Sequence, residues 1–130
     1  MVAVPGADGA FCYITTTGRR TGRPHTIEIW FAVSGRTVYV LAGGRQADWV
    51  RNLRADPRAT VRLGDERFPA VARIVEGGSD EDRLARRLVV DKYQDPRSRD
   101  LERWGATALP VAFDLEASST GGAVGGGGPS

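Results

Sequence analysis

Between Thr15 and Pro24 the chain reads TTTGRRTGRP, with four threonines, two glycines and three arginines in ten residues. Gly18 and Gly22 admit positive φ, so backbone N–H groups there can converge on one point. Thr17 and Thr21 add hydroxyls. Arg19, Arg20 and Arg23 add guanidinium forks, which grip phosphate and carboxylate in pairs of hydrogen bonds. The chemistry this suits is anion binding, and the plain alternative is a solvated loop between two strands. It is not a Walker loop, since the G-x-x-x-x-G-K-[ST] pattern is absent and no helix follows.

A second stretch, LAGGRQADWVRNL, runs a strand into Gly43-Gly44 and then into a helix start. Unpaired N–H groups at a helix N-terminus favour an anion, and Arg45 lies beside them. The plain alternative is a turn that needs glycine for its geometry alone. If both stretches meet at one end of the fold they form one anion site.

Other residues have two readings each. Trp30, Trp49 and Tyr93 offer flat apolar surface for a ring, or fill a core. Glu28 is either a carboxylate aimed at a ligand, Arg20 or Arg23, or a residue of a solvated outer face. His25 follows Pro24, as an edge residue or a helper in anion binding. With one cysteine and one histidine, a Cys/His zinc site within the chain is excluded, and no metal is expected. No G-x-S-x-G elbow is present. Cys12 lies in an apolar run and is expected to be buried.

The elements that position these residues follow from pattern. AFCYITT (10–16) reads as a strand and GRRTGRP (18–24) as a loop. HTIEIWFAV (25–33) alternates strictly, with Ile27, Ile29, Phe31 and Val33 on one side and Thr26, Glu28 and Trp30 on the other. SGR turns the chain back into TVYVLA (37–42), a hairpin. Ala47, Val50 and Leu53 recur at helical spacing until Pro57. ATVRL (59–63) and RFPAVARIV (67–75) form another hairpin. Ser79 and Asp82 approximate a capping box for a helix to about Tyr93, with Leu84, Ala85 and Leu88 on its buried side. LERWG is read as one more turn and ALPVAFDL (108–115) as the last strand.

The 130 residues make one domain. Residues 1–9 read as a flexible N-terminus, 10–116 as the folded domain and 117–130 as a disordered Gly-rich tail. About six strands and two or three helices imply an α+β fold, mainly β: a small antiparallel barrel, closed or nearly so, that buries its edges. The net charge is only +2, yet ten arginines face five acids between Arg19 and Arg67. A nucleic-acid groove needs stacking aromatics along the basic surface. Here the aromatics sit in apolar runs, so no nucleic-acid partner is expected. No signal peptide and no membrane span are read, so a soluble cytoplasmic protein is expected.

TTTGRRTGRP, the hairpin TIEIWF…TVYVLAGG, and ADWVRNLRADPRATVRLGD together resemble the deazaflavin-dependent nitroreductase family of actinobacteria. A looser match runs on through KYQ and ALPVAF. The family is built on a split β-barrel related to FMN-binding barrels and uses coenzyme F420, a polyanion with a phosphate and a glutamate tail. The resemblance implies that Arg19, Arg20 and Thr21 hold the phosphate or the tail carboxylates. Backbone groups near Ala42, Gly43 and Gly44 would hold the phosphate from the other side, with Arg45 nearby. Trp49 would border the pocket, and the strand from His25 through Ile27 to Trp30 would run beside the ring. The implied reaction is hydride transfer from reduced F420 to a small acceptor, namely a quinone, an enone or a nitro compound. Family members cluster tyrosines near the C-terminal helix as substrate contacts or proton donors. Tyr93 alone stands there in this chain, so Tyr93 and Glu28 are the candidate catalytic residues. A non-catalytic F420 binding or storage protein and an FMN enzyme are the other expectations, and a homodimer across a sheet face is a further one.

Overall fold

A computed structural model describes residues 6–7, 9–43, 47–93 and 106–116. Seven strands and two helices are found among them. They are β1 (Cys12–Thr17), β2 (Pro24–Ile29), β3 (Ala32–Ser34), β4 (Thr37–Ala42), α1 (Asp48–Ala55), β5 (Arg58–Leu63), β6 (Glu66–Ile74), α2 (Asp80–Lys92) and β7 (Leu109–Leu115). All strands join one sheet in the order β2-β1-β5-β6-β7-β4-β3, and every pairing is antiparallel. Its two edge strands, β2 and β3, are consecutive in the chain and joined only by Trp30-Phe31. The sheet therefore curls into a barrel left open at that crossover. This is the expected split-barrel α+β fold.

The expected strand 25–33 is two strands. Residues 24–29 pair with β1 and residues 32–34 with β4. Its alternation survives the break: Ile27, Ile29 and Val33 pack against the main core and Phe31 is fully buried in it. Periodicity reports which face a residue shows, but not which neighbour its backbone bonds. The hairpin with β4 is thus only three residues deep, Ala32↔Tyr39 to Ser34↔Thr37.

Two cores explain the burial. The larger fills the barrel, with Cys12, Ile14, Val38, Val40, Val61, Val111 and Phe113 at its centre and Trp49, Val50 and Leu53 of α1 closing it. The smaller lies under α2, where Ala85 and Val89 meet Ala32, Tyr39, Leu41 and Ala112. β4 touches both, which is why TVYVLA reads as an unbroken apolar run while β1 alternates. Cys12 is fully buried, and desolvation pushes its thiol up to about 12.

α2 begins as its sequence indicates. Ser79 Oγ accepts from the Asp82 amide at 3.1 Å, and Asp82 Oδ2 accepts from the Gly78 amide at 3.2 Å. Its deepest residues are Asp82, Ala85 and Val89, with Leu84 and Leu88 half-buried at the margin. Within the segment read as flexible, Ala7 packs against the main core. The turn at LERWG and the tail from 117 lie outside the described residues.

Candidate functional site

The loop between β1 and β2 is tightly folded. The Gly18 amide donates to Arg23 O and the Gly22 amide to Gly18 O, both at 2.8 Å. Gly22 takes φ +73, and a side chain on Gly18 would meet Arg23 O and Thr21 Oγ1 at 3.1 Å. Gly22 suits its positive φ, and Gly18 the close approach of Arg23 O and Thr21 Oγ1.

This loop lies on α1 because Arg19 holds it there. The Arg19 amide and Nη1 donate to Asn52 Oδ1 at 3.2 and 2.9 Å, and Nη1 and Nη2 reach Asp48 O and Oδ1 at 3.4 Å. Asn52 is buried and donates through Nδ2 to the equally buried Thr16 Oγ1 at 3.1 Å. A polar residue on the buried face of an amphipathic helix needs such partners. Asn52 was legible for that reason, standing between Trp49, Val50 and Leu53, yet the resemblance gave it no role.

The two sequence stretches therefore meet. Between loop 18–23 with the start of β2 and the start of α1 lies a cavity of about 270 Å³, lined by Arg19, Arg20, Thr21, Arg23 and His25 on one side and Asp48 and Asn52 on the other. Arg20, Thr21, Arg23 and His25 are exposed. Neither the Arg20 nor the Arg23 guanidinium makes an ion pair among the described residues. Ala47 stands at the N-cap of α1 and makes no side-chain cap hydrogen bond, so the first amides of the helix lack the acceptor that a Ser, Thr, Asp or Asn would supply there. Two unpaired guanidiniums beside an uncapped helix N-terminus fit a ligand with more than one anionic group.

A larger cavity of about 420 Å³ opens beside it, among Thr15, Thr17, Pro24, Arg58 and Thr60. Its arginine is already engaged: Arg58 Nε and Nη2 donate to Asp56 Oδ1 and Oδ2 at 3.0 and 2.9 Å. The smaller cavity is the better anion site on that ground.

The remaining expected residues scatter. Ile27 and Trp49 belong to the main core, Ala42 is fully buried, and Gly43 is exposed at the end of β4. Gly44 and Arg45 lie outside the described residues. Glu28 meets neither Arg20 nor Arg23. It stands on the outer face, where Tyr13 Oη donates to Glu28 Oε2 at 2.6 Å and Arg62 lies over the Tyr13 ring at 4.2 Å. That bond, first among its causes, holds the Tyr13 phenol above its ordinary range.

Tyr93 caps the C-terminus of α2 and stacks on Trp30, with ring centroids 4.4 Å apart and planes 4° from parallel. Its Oη accepts from the Phe31 amide at 3.1 Å and lies 2.6 Å from Ala10 O and 3.2 Å from Phe31 O. Desolvation raises its pKa.

Known proteins match this arrangement. The model of the F420H(2)-dependent quinone reductase family matches residues 4–116. An F420H(2)-dependent quinone reductase of Mycobacterium tuberculosis is 32% identical over 77 residues, 56% of this chain and 51% of that protein. The chain thus spans about half the length of the curated relatives it matches. Among solved structures, an F420-H2 dependent reductase superposes with TM-score 0.64 at 24% identity, over 89% of this chain and all of that one. A conserved hypothetical protein of M. tuberculosis gives 0.72 at 20% identity, over 91% and 84%. These likenesses show the fold. The family match, spanning both sides of this cavity and all seven strands, makes this chain a member of the F420H(2)-dependent quinone reductase family.

Proposed function

We propose that the chain binds coenzyme F420 at the cavity between loop 18–23 and α1, and reduces an electron-poor acceptor of the quinone, enone or nitro class. The observation that carries this reading is the pair of unpaired guanidiniums, Arg20 and Arg23, beside the uncapped start of α1. Family membership supplies the identity of the polyanion.

Each residue has a part. Arg20, Arg23 and His25 bind the phosphate and tail carboxylates, assisted by Thr21 and the first amides of α1. Arg19 presents the loop rather than the ligand, because Asn52 and Asp48 already engage it. Strand β2 leads away from His25 and lies alongside the ring. F420H2, when bound, supplies the hydride. The chain orients the ring and shields one side of it from water. A cytoplasmic location and a homodimer across the outer sheet face, where Val71 is exposed, belong to the same proposal.

One observation favours a second reading, a non-catalytic F420 carrier: the Tyr93 hydroxyl is held by backbone and not presented to an acceptor. Turnover separates the two. The first reading expects stoichiometric loss of F420H2 absorbance with a benzoquinone. Tight F420 binding without such loss supports the carrier. Binding of FMN in preference to F420 would overturn both.

A further inference from the structure

The barrel opens between β2 and β3, and one hydroxyl sits at that opening. Tyr93 Oη bonds Phe31, which joins the two edge strands, and Ala10, which leads into β1. Tyr93 itself ends α2. Three separate parts of the chain are thus tied at one oxygen. A phenol has one proton to donate. Ala10 O, at 2.6 Å, takes it in preference to Phe31 O at 3.2 Å, while the Phe31 amide occupies a lone pair. The neighbouring Lys92 reinforces the tie. Its Nζ donates to Ala7 O at 3.2 Å and lies 3.6 Å from the centre of the Phe31 ring.

The ring of Tyr93 lies flat on Trp30, the residue that follows β2, the strand leading away from the proposed anion cavity. Trp30 is half-buried, so its indole keeps some exposure next to the crossover. Where that indole stands depends on the backbone at 30–31, which Tyr93 Oη bonds at Phe31.

We propose that Tyr93 is a positioning residue: its hydroxyl locks the Trp30-Phe31 crossover and so sets the apolar wall at the far end of β2, and it does not give its proton to the acceptor. The part concerning the acceptor rests on the proposed F420H2-dependent reduction. The part concerning the crossover does not.

The experiment is hydrogen exchange and steady-state kinetics on the full chain, wild type against Tyr93→Phe, which keeps the stacked ring and removes only the oxygen. The Phe31 amide should exchange slowly in the wild type and at least about tenfold faster in the variant. With F420H2 and a benzoquinone, kcat should stay within about threefold, its pH profile should keep its shape, and KM for the quinone should rise. An unprotected Phe31 amide in the wild type, or equal exchange in both proteins, would overturn the lock. A fall in kcat of about 100-fold or more, with loss of the basic limb of the profile, would make Tyr93 the proton donor and overturn the proposal. If the wild type neither binds nor oxidises F420H2, the proposed function fails, and the exchange result still decides the lock.

Discussion

Arg19 donates to Asn52 Oδ1 twice, from its own amide at 3.2 Å and from Nη1 at 2.9 Å. One side-chain oxygen thus fixes both the backbone and the guanidinium of the residue that begins the arginine run. The bond holds the β1–β2 loop against α1, with the cavity between them.

Asn52→Ala should therefore damage stability and ligand binding together. The buried Thr16 hydroxyl loses the Asn52 amide, and the loop loses its anchor. The expected cost is about 1–3 kcal/mol in urea denaturation. F420 affinity should fall as well, although Asn52 is not assigned to the ligand.

Arg20→Ala and Arg23→Ala should separate those effects. Both side chains are exposed and unpaired among the described residues, so the urea midpoint should hardly move. F420 affinity should drop about tenfold for each, and the salt dependence of binding should become shallower. Arg19→Ala should lower both stability and affinity, because its contacts run to α1.

Glu28→Gln should leave F420 affinity and turnover unchanged. Its carboxylate serves Tyr13 on the outer face, so the visible effect should be a lower Tyr13 phenol pKa in ultraviolet titration. A changed acceptor preference would return Glu28 to the site.

Acid should loosen α2 through one arginine. Arg73 holds Asp114 through Nε at 2.6 Å and Glu81 through Nη1 at 2.8 Å, while Tyr39 Oη donates to Glu81 at 2.7 Å. Bonds from Arg73 lower the pKa of both carboxyls. A lowered folded pKa gives stability that is present above the ordinary carboxylate range, about pH 4, and lost as pH falls below it. Urea midpoints should thus fall between about pH 5 and pH 3 in the wild type. Arg73→Met should flatten that fall. The groups are partly exposed, so the network should contribute only about 1–2 kcal/mol.

Much of the fold was legible because its signals are local. AFCYITT marked β1, ATVRL and RFPAVARIV marked the β5–β6 hairpin, Pro57 followed the end of α1, and Ser79 capped α2. The split at Trp30-Phe31 was not legible, since alternation runs through it and only the pairing changes. The loop proposed to bind the anion was singled out by glycine and arginine spacing. What each arginine does could not: Arg19 and Arg20 are adjacent in sequence, and only the approach of Asn52 from α1 tells the anchor from the free charge. Tyr93 was singled out by the resemblance, yet its hydroxyl partners, Ala10 and Phe31, lie 83 and 62 residues away, beyond any local pattern.

Fluorescence titration of the purified chain with oxidised F420, run beside FMN, tests the central claim most directly. Saturable micromolar binding of F420 alone, weakened in Arg20→Ala and Arg23→Ala, is the expected result. Absence of F420 binding, or binding indifferent to both arginines, would contradict the assignment of the cavity.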